Sequence, residues 1–311
     1  VNITSGSGQP GANQSIRIRG MGSFNASNEP LFVIDGIPVT SGSMGAGTGA
    51  DAAYMNNAKT NVMSTLNPAD GVILITTKKG AVGRTKVTLS ASGGFSNAAV
   101  NFRPTLNGEQ RREMIYEGLY NSAVDKGLQS PEAYVNANID TYAGIPELGY
   151  TDWRKELIRT AHNQNYEVTA SGGNERTTFY ASLGFNRQEG LVENSNLDRY
   201  SARLNMTHKI GSRVEVGGNM MFTQISQEMN EERGSNINPF LCVAVSATPS
   251  MPVRDASGNY VGSYAGTNVN PLRDIRTDYN RSRMTRMFST GYASVDKILE
   301  EVITPTITAV V

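Results

Sequence analysis

The chain has 311 residues, enough for one large domain or two ordinary ones, and its 28 Lys plus Arg are matched by 28 Asp plus Glu. That balance supplies no basic field for nucleic acid and no acidic tail for a cationic partner, while a single cysteine (Cys242) and two histidines (His162, His208) exclude an internal disulfide and an ordinary structural zinc site. No apolar run approaches the roughly 18 residues a membrane-spanning helix needs, but a β-barrel, which asks only for an apolar residue at every second position, stays open.

Residues 1–80 are glycine-rich and poor in helix signals, with short predicted strands at 15–19, 31–34 and 71–77 separated by Gly, Ser and Asn. They read as a small sheet-containing domain. Gly6-Ser7-Gly8-Gln9-Pro10-Gly11 matches a dinucleotide fingerprint, yet no strand precedes it and Pro10 stands where a helix should open, so a loop is expected and no cofactor. Arg17 and Arg19 share one side of a strand, and Asp35 before Gly36 reads as a turn former rather than an acid catalyst. Val1 follows no Met or apolar leader, so a signal segment is expected upstream or removed.

From about Lys86 the pattern lengthens into two-residue alternation. Val87, Leu89, Ala91 and Phe95 fall opposite Thr88, Ser90 and Ser92; Tyr166, Val168 and Ala170 fall opposite Glu167 and Thr169. The same holds for Phe179 to Phe185, Tyr200 to Met206 and Val214 to Phe222, with a weaker sixth strand over 284–295. Between the strands, 172–176 and 210–212 are tight, whereas 97–164, 188–198 and 227–283 are long. Outer-membrane barrels place short turns in the periplasm and long loops outside. A first strand running outward from Lys86 puts every connection on its expected side.

Inside the long connections, Met114, Ile115, Leu119 and Ala123 predict a helix over 108–125, and Thr151 or Asp152 is the expected cap of a second over 151–160. Such stretches also suit an ordinary α+β domain. Asp255-Ala256-Ser257-Gly258-Asn259 lacks the spaced ligands of a calcium loop and reads as a turn. Tyr260, Tyr264 and Tyr279 suit stacking on a sugar ring or peptide side chain as well as they suit ordinary loop packing. No Ser, Cys or Thr has an activating neighbour in sequence, so no enzymatic activity is expected.

Three blocks resemble the SusC/RagA family of TonB-dependent transporters. Ser15-Ile16-Arg17-Ile18-Arg19-Gly20 with Pro30-Leu31-Phe32-Val33-Ile34-Asp35-Gly36-Ile37-Pro38-Val39 is similar to the family's plug signature. Asn67-Pro68-Ala69-Asp70 and Gly71 to Gly80 resemble the strand that ends the plug. Thr151-Asp152-Trp153, Ser171-Gly172-Gly173-Asn174, Gln188-Glu189-Gly190 and Arg199 to Asn205 are similar to its first barrel hairpins. In that family a further stretch separates the second block's two parts, whereas here Asp70 runs directly into Gly71, so the plug sheet is expected to be incomplete.

The resemblance implies a mainly β chain: a mixed α/β plug at 1–80, then at 81–311 the first strands of a large antiparallel transmembrane β-barrel of roughly twenty or more strands. An open curl of six strands leaves bare edges in lipid, so these are expected to be part of a larger wall. It implies import of oligosaccharide or oligopeptide across the bacterial outer membrane, with a SusD-like lipoprotein lid, TonB with ExbB and ExbD, and outer-membrane lipid as partners. Arg17, Arg19, Tyr260 and Tyr264 are the candidate substrate contacts, the two arginines serving equally as ion-pair partners of the wall. The competing readings are a TonB-linked receptor or adhesin without transport, and a soluble secreted β-rich enzyme.

Overall fold

A computed structural model describes residues 2–5, 9–11, 14–17, 31–35, 37–39, 72–99, 105–230, 247–262, 270–277, 279–295 and 307–310. In the N-terminal part, β1 (Asn2–Ser5) pairs antiparallel with β2 (Gln14–Arg17). A three-stranded sheet sets β3 (Leu31–Ile34) between antiparallel β4 (Ile37–Val39) and parallel β5 (Val72–Ile75). The junction of residues 70 and 71 lies outside the described residues.

The alternating segments form one antiparallel meander in chain order: β6 (Gly83–Ser96), β7 (Ala161–Gly173), β8 (Thr177–Glu189), β9 (Asn196–Ile210), β10 (Val214–Glu228), β11 (Arg281–Val295) and β12 (Ile307–Val310). The register places Leu89, Val168, Leu183, Ala202, Phe222 and Met287 side by side across six strands. Leu89 is 71 % exposed, Leu183 65 % and Met287 61 %. On the opposite face Tyr180, Asn205 and Gln227 are buried. The sheet is therefore inside out for water. Burying a side chain of this size is worth about 1.5–3 kcal/mol, which a water-soluble fold would not forgo along a whole row, whereas hydrocarbon recovers it. None of Val87, Phe179, Leu183 and Val216 is buried.

At one end of the meander the strands turn sharply. Asn174 Oδ1 accepts from the backbone N–H groups of Arg176 and Thr177, closing the β7–β8 turn, and Gly211 at φ +68 supplies the left-handed residue between β9 and β10. At the other end lie the connections that carry the helices. Pairing continues outward to Glu189↔Asn196, so the backbone joining β8 to β9 is only 190–195.

Helix α1 (Gly108–Asp125) spans the predicted range, and Asn107 with Gln110 closes a reciprocal cap. It packs Ile115, Leu119 and Tyr120 against Val135, Ile139 and Ala143 of α2 (Pro131–Ala143) and buries Ala123, while Met114, expected on that stripe, is 59 % exposed. The predicted second helix is shorter than expected. Asp152 caps α3 (Trp153–Leu157) as read, but Ile158 leaves the helix to bridge Val192. Helix α4 (Pro271–Thr277) follows near the β10–β11 connection's end. Trp153 and Leu157 join Val192, Met251, Leu272 and Ile275 in a small core that ties three connections together, with Trp153 Nε1 donating to the Thr248 carbonyl at 2.8 Å.

Candidate functional site

The polar face of the meander is where the N-terminal segments sit. Asp35 ends β3 at φ +49, a left-handed conformation that a short polar side chain tolerates, and its N–H donates to the Ile75 carbonyl at 2.9 Å. This confirms the turn reading of Asp35. The turn also aims its carboxylate at two donors of one residue: Thr77 N–H reaches Oδ1 at 2.8 Å and Thr77 Oγ1 reaches Oδ2 at 2.5 Å. The third donor comes from the wall, Asn219 Nδ2 of β10, 2.5 Å from Oδ2. Hydrogen bonds to an ionised acceptor are the strong ones, so this carboxylate is the pivot of the contact.

Asn205 of β9 stands directly opposite Asn219 in the register. Its Nδ2 donates to Thr77 Oγ1 at 3.1 Å and to the Lys78 carbonyl at 2.5 Å, so one wall amide grips the chain just after β5. Thr77 and Asn205 are buried. Both asparagine Oδ1 atoms are also buried with no hydrogen-bond partner in the described structure. A few residues on, Gly80 crosses β8 so closely that a Cβ there would lie 2.3 Å from the Phe179 carbonyl oxygen.

A second contact lies nearer the loop end. Gln227 Nε2 donates to the Pro10 carbonyl at 2.8 Å, and Gln9 exchanges bonds with the Asn230 backbone at 3.0 and 3.1 Å while Ser195 Oγ donates to its Oε1 at 3.2 Å. The Gly6 to Gly11 segment thus supplies a docking strap in its described part, residues 9–11. Glu193, in the β8–β9 connection beside this strap, is held below the usual carboxylate range by hydrogen bonds from the Arg276 guanidinium, and Arg276 is raised in return.

Of the candidate contacts read from sequence, Arg17 closes β2, but its side chain lies outside what the structure describes, as do Arg19 and Tyr264 entirely. Tyr260 lies against the small core near Met251 with the Arg254 guanidinium 3.9 Å from its ring centre, and it caps the Asp255–Asn259 turn through an Arg254↔Tyr260 bridge. Tyr279 is 75 % exposed. The seat residues Thr77, Asn205, Asn219 and Gln227 were not singled out in the sequence. The signal for one pair was there: a tight turn after Ile210 fixes the register, which places Asn205 and Asn219 equally far from it.

The TonB-dependent receptor plug domain model matches residues 1–74. The chain is 31 % identical over 220 residues to TonB-dependent receptor SusC of Bacteroides thetaiotaomicron, covering 66 % of this chain and 20 % of that protein. It is 29 % identical over 267 residues to TonB-dependent receptor P26 of Formosa agariphila, covering 84 % and 25 %. The plug match and these relatives together support a SusC/RagA-type TonB-dependent receptor fragment. Its fold agrees with the structure of the RagAB peptide transporter, at a TM-score of 0.69 and 22 % identity over 95 % of this chain and 36 % of that one, and with the open-open state of the RagAB peptide importer, at 0.68 and 23 %. The chain spans about a fifth to a quarter of the length of these curated relatives. In this SusC/RagA-type chain the antiparallel meander corresponds to leading barrel strands, not closed into a barrel here, and Asp35 and Thr77 sit between plug-side strands and that wall.

Proposed function

We propose that this chain supplies the plug and leading wall strands of an outer-membrane importer that moves oligosaccharides or oligopeptides into the periplasm, using energy delivered by TonB with ExbB and ExbD and a SusD-like lipoprotein as surface lid. The observation that carries the reading is the seat itself. The plug-side strands meet the wall through a handful of hydrogen bonds centred on Asp35, Asn205 and Asn219 and on the Gln9 strap. Such bonds are each worth about 0.5–3 kcal/mol net, because water replaces them when they break. A mechanical pull on the plug therefore shifts it from seated to displaced without tearing an apolar core, which is the population shift an importer needs. The apolar row of Leu89, Leu183 and Met287 supports placement in a bilayer, and the protein's work is conformational rather than hydrolytic.

The test is an internal lock. In the full-length protein, Asp35→Cys with Asn219→Cys puts a thiol on each side of the present contact, each one bond short of the polar atom it replaces, so the disulfide forms as the two backbones close up. Native-host cells carrying it are expected to lose uptake of labelled oligosaccharide or oligopeptide when the disulfide forms and to regain it with a membrane-permeant reductant. Uptake that continues with the disulfide formed contradicts the proposal, and surface binding without uptake in the unlocked protein favours a receptor or adhesin.

A further inference from the structure

Beyond import, the lipid-facing side of the sheet carries a site of its own. The apolar face does not stay apolar to the strand ends. Following each strand from the row of Leu183 and Phe222 toward the loop end, the same face passes Tyr166, Phe185 and Tyr200, the first pair of rings stacked at 6.4 Å and the second tilted at 5.0 Å between centres. It then turns polar and mostly charged: Arg187 on β8, Asn196 and Asp198 on β9, Glu228 on β10, Arg281 and Arg283 on β11. These residues line a cleft of about 530 Å³, and below it an apolar groove of about 390 Å³ runs between Val168, Leu183, Phe185 and Phe222. Tyr200 lines both. Cleft and groove are thus one continuous amphipathic channel on the outside of the wall.

The charges inside the cleft are incompletely matched. Arg281 is paired with Glu228, and Arg187 stands 3.6 Å from Glu189 and 3.9 Å from Asp198, too far for a good hydrogen bond. Arg283 has no partner among the described residues, while Asp198 keeps Oδ1 buried toward Arg187 at 3.9 Å and leaves its side chain 31 % exposed to the cleft. One unpaired and one loosely paired guanidinium beside a part-exposed carboxylate do not suit a bare anion. They suit a headgroup that carries a phosphate together with hydroxyl or amide donors. Because β8, β9 and β10 are each paired on both sides, no further strand enters the cleft laterally.

We propose that this channel binds a phosphorylated amino-sugar glycolipid of the outer leaflet, its phosphate on Arg187 and Arg283, a sugar hydroxyl or amide on Asp198, and an acyl chain in the groove beneath Tyr200. Aromatic side chains at the membrane interface commonly mark the headgroup level, and guanidinium groups match phosphate geometry. This rests on the reading of the sheet as an outer-membrane wall.

The test uses the full-length protein in phosphatidylethanolamine vesicles with or without lipid A, counting lipid A retained per protein after detergent washing. Wild type is expected to retain lipid A, and R187E/R283E to retain roughly a hundredfold less, the loss of two charge-assisted contacts. R283K should stay near wild type, and lipid A stripped of phosphate should be retained roughly a hundredfold less by wild type on the same grounds. Should R187E/R283E fail to fold, R283Q is read instead, with a smaller loss expected. Equal retention by R187E/R283E or R283Q, equal retention of phosphatidylglycerol, or equal thermal protection by soluble glucosamine phosphate would overturn the proposal. Wild type that does not enter vesicles overturns both this inference and the importer reading, whereas wild type that inserts without selective retention overturns this one alone.

Discussion

The seat at Asp35 makes a prediction that a charge swap can decide. Asp35 accepts three hydrogen bonds, one of them from Asn219 Nδ2 at 2.5 Å. Asn219→Ala removes one charge-assisted bond, worth about 1.5–3 kcal/mol, and a tenfold change corresponds to about 1.4 kcal/mol. Opening of the seat, read as hydrogen exchange at the Thr77 and Asp35 amides in the full-length protein, should therefore accelerate roughly tenfold to a hundredfold. Asn219→Asp should be worse, since two carboxylates at contact repel by about 4 kcal/mol or more in a surface-like dielectric. Adding Asp35→Asn to Asn219→Asp restores an amide facing a carboxylate with the roles reversed. The double variant should exchange more slowly than Asn219→Asp alone, although Thr77 then faces an amide rather than a charge. Exchange that is unchanged in Asn219→Ala, or a double variant showing the plain sum of the single effects, refutes the pairing.

Other consequences follow from the wall and its connections. Leu183→Arg places a charge on the lipid-facing row and should cost about 2–4 kcal/mol near the bilayer midplane, visible as a lower urea midpoint in vesicles, whereas Ser182→Arg on the opposite face should cost less. Gly80→Ala drives a Cβ to 2.3 Å from the Phe179 backbone, which cannot move without breaking the β8 ladder. The full-length variant should show faster exchange around Thr77 and a loss of stability of about 1–3 kcal/mol. Glu193 has its folded-state pKa depressed by Arg276, so the pair's stabilisation is fully present above the ordinary value of 4.5 and fades as pH falls through the lower folded value. Limited proteolysis of the 190–195 connection should accordingly rise on acidification below about pH 4.5 in wild type, and stay flat with pH in Glu193→Gln.

The strands were legible because period two is written on the sequence whenever one face meets hydrocarbon, and Leu89, Val168, Leu183 and Phe222 alternate with Ser, Thr and Glu. Their ends were less so. The ladders run on through His162, Arg187, Asp198, Glu228 and Arg281, where the face leaves the apolar zone and alternation vanishes although the backbone pairing persists. Helix α1 announced itself through Ile115, Leu119 and Ala123, whereas α2 has only Val135 and Ile139 one turn apart, diluted by Asn136 and Asn138. Met114 misled because an apolar residue beside a stripe is not on it. The seat was hidden for a different reason. Lumen-facing Asn and Thr look alike in sequence, and only the register set by the turn after Ile210 and the φ of Asp35 bring Asn205, Asn219 and Thr77 onto one carboxylate.

If the sheet is an outer-membrane wall, the side chains of Leu89, Leu183 and Phe222 meet acyl chains while those of Thr169 and Ser182 face a watery lumen. Single cysteines at these five positions, in the full-length protein with Cys242→Ser and in vesicles, can be offered a membrane-impermeant maleimide and, once labelled with a fluorophore in detergent, a lipid-borne nitroxide quencher. Leu89→Cys, Leu183→Cys and Phe222→Cys are expected to resist the maleimide and to be quenched from the lipid, with the reverse at Thr169→Cys and Ser182→Cys. Maleimide labelling of the first three, with no quenching, would contradict it.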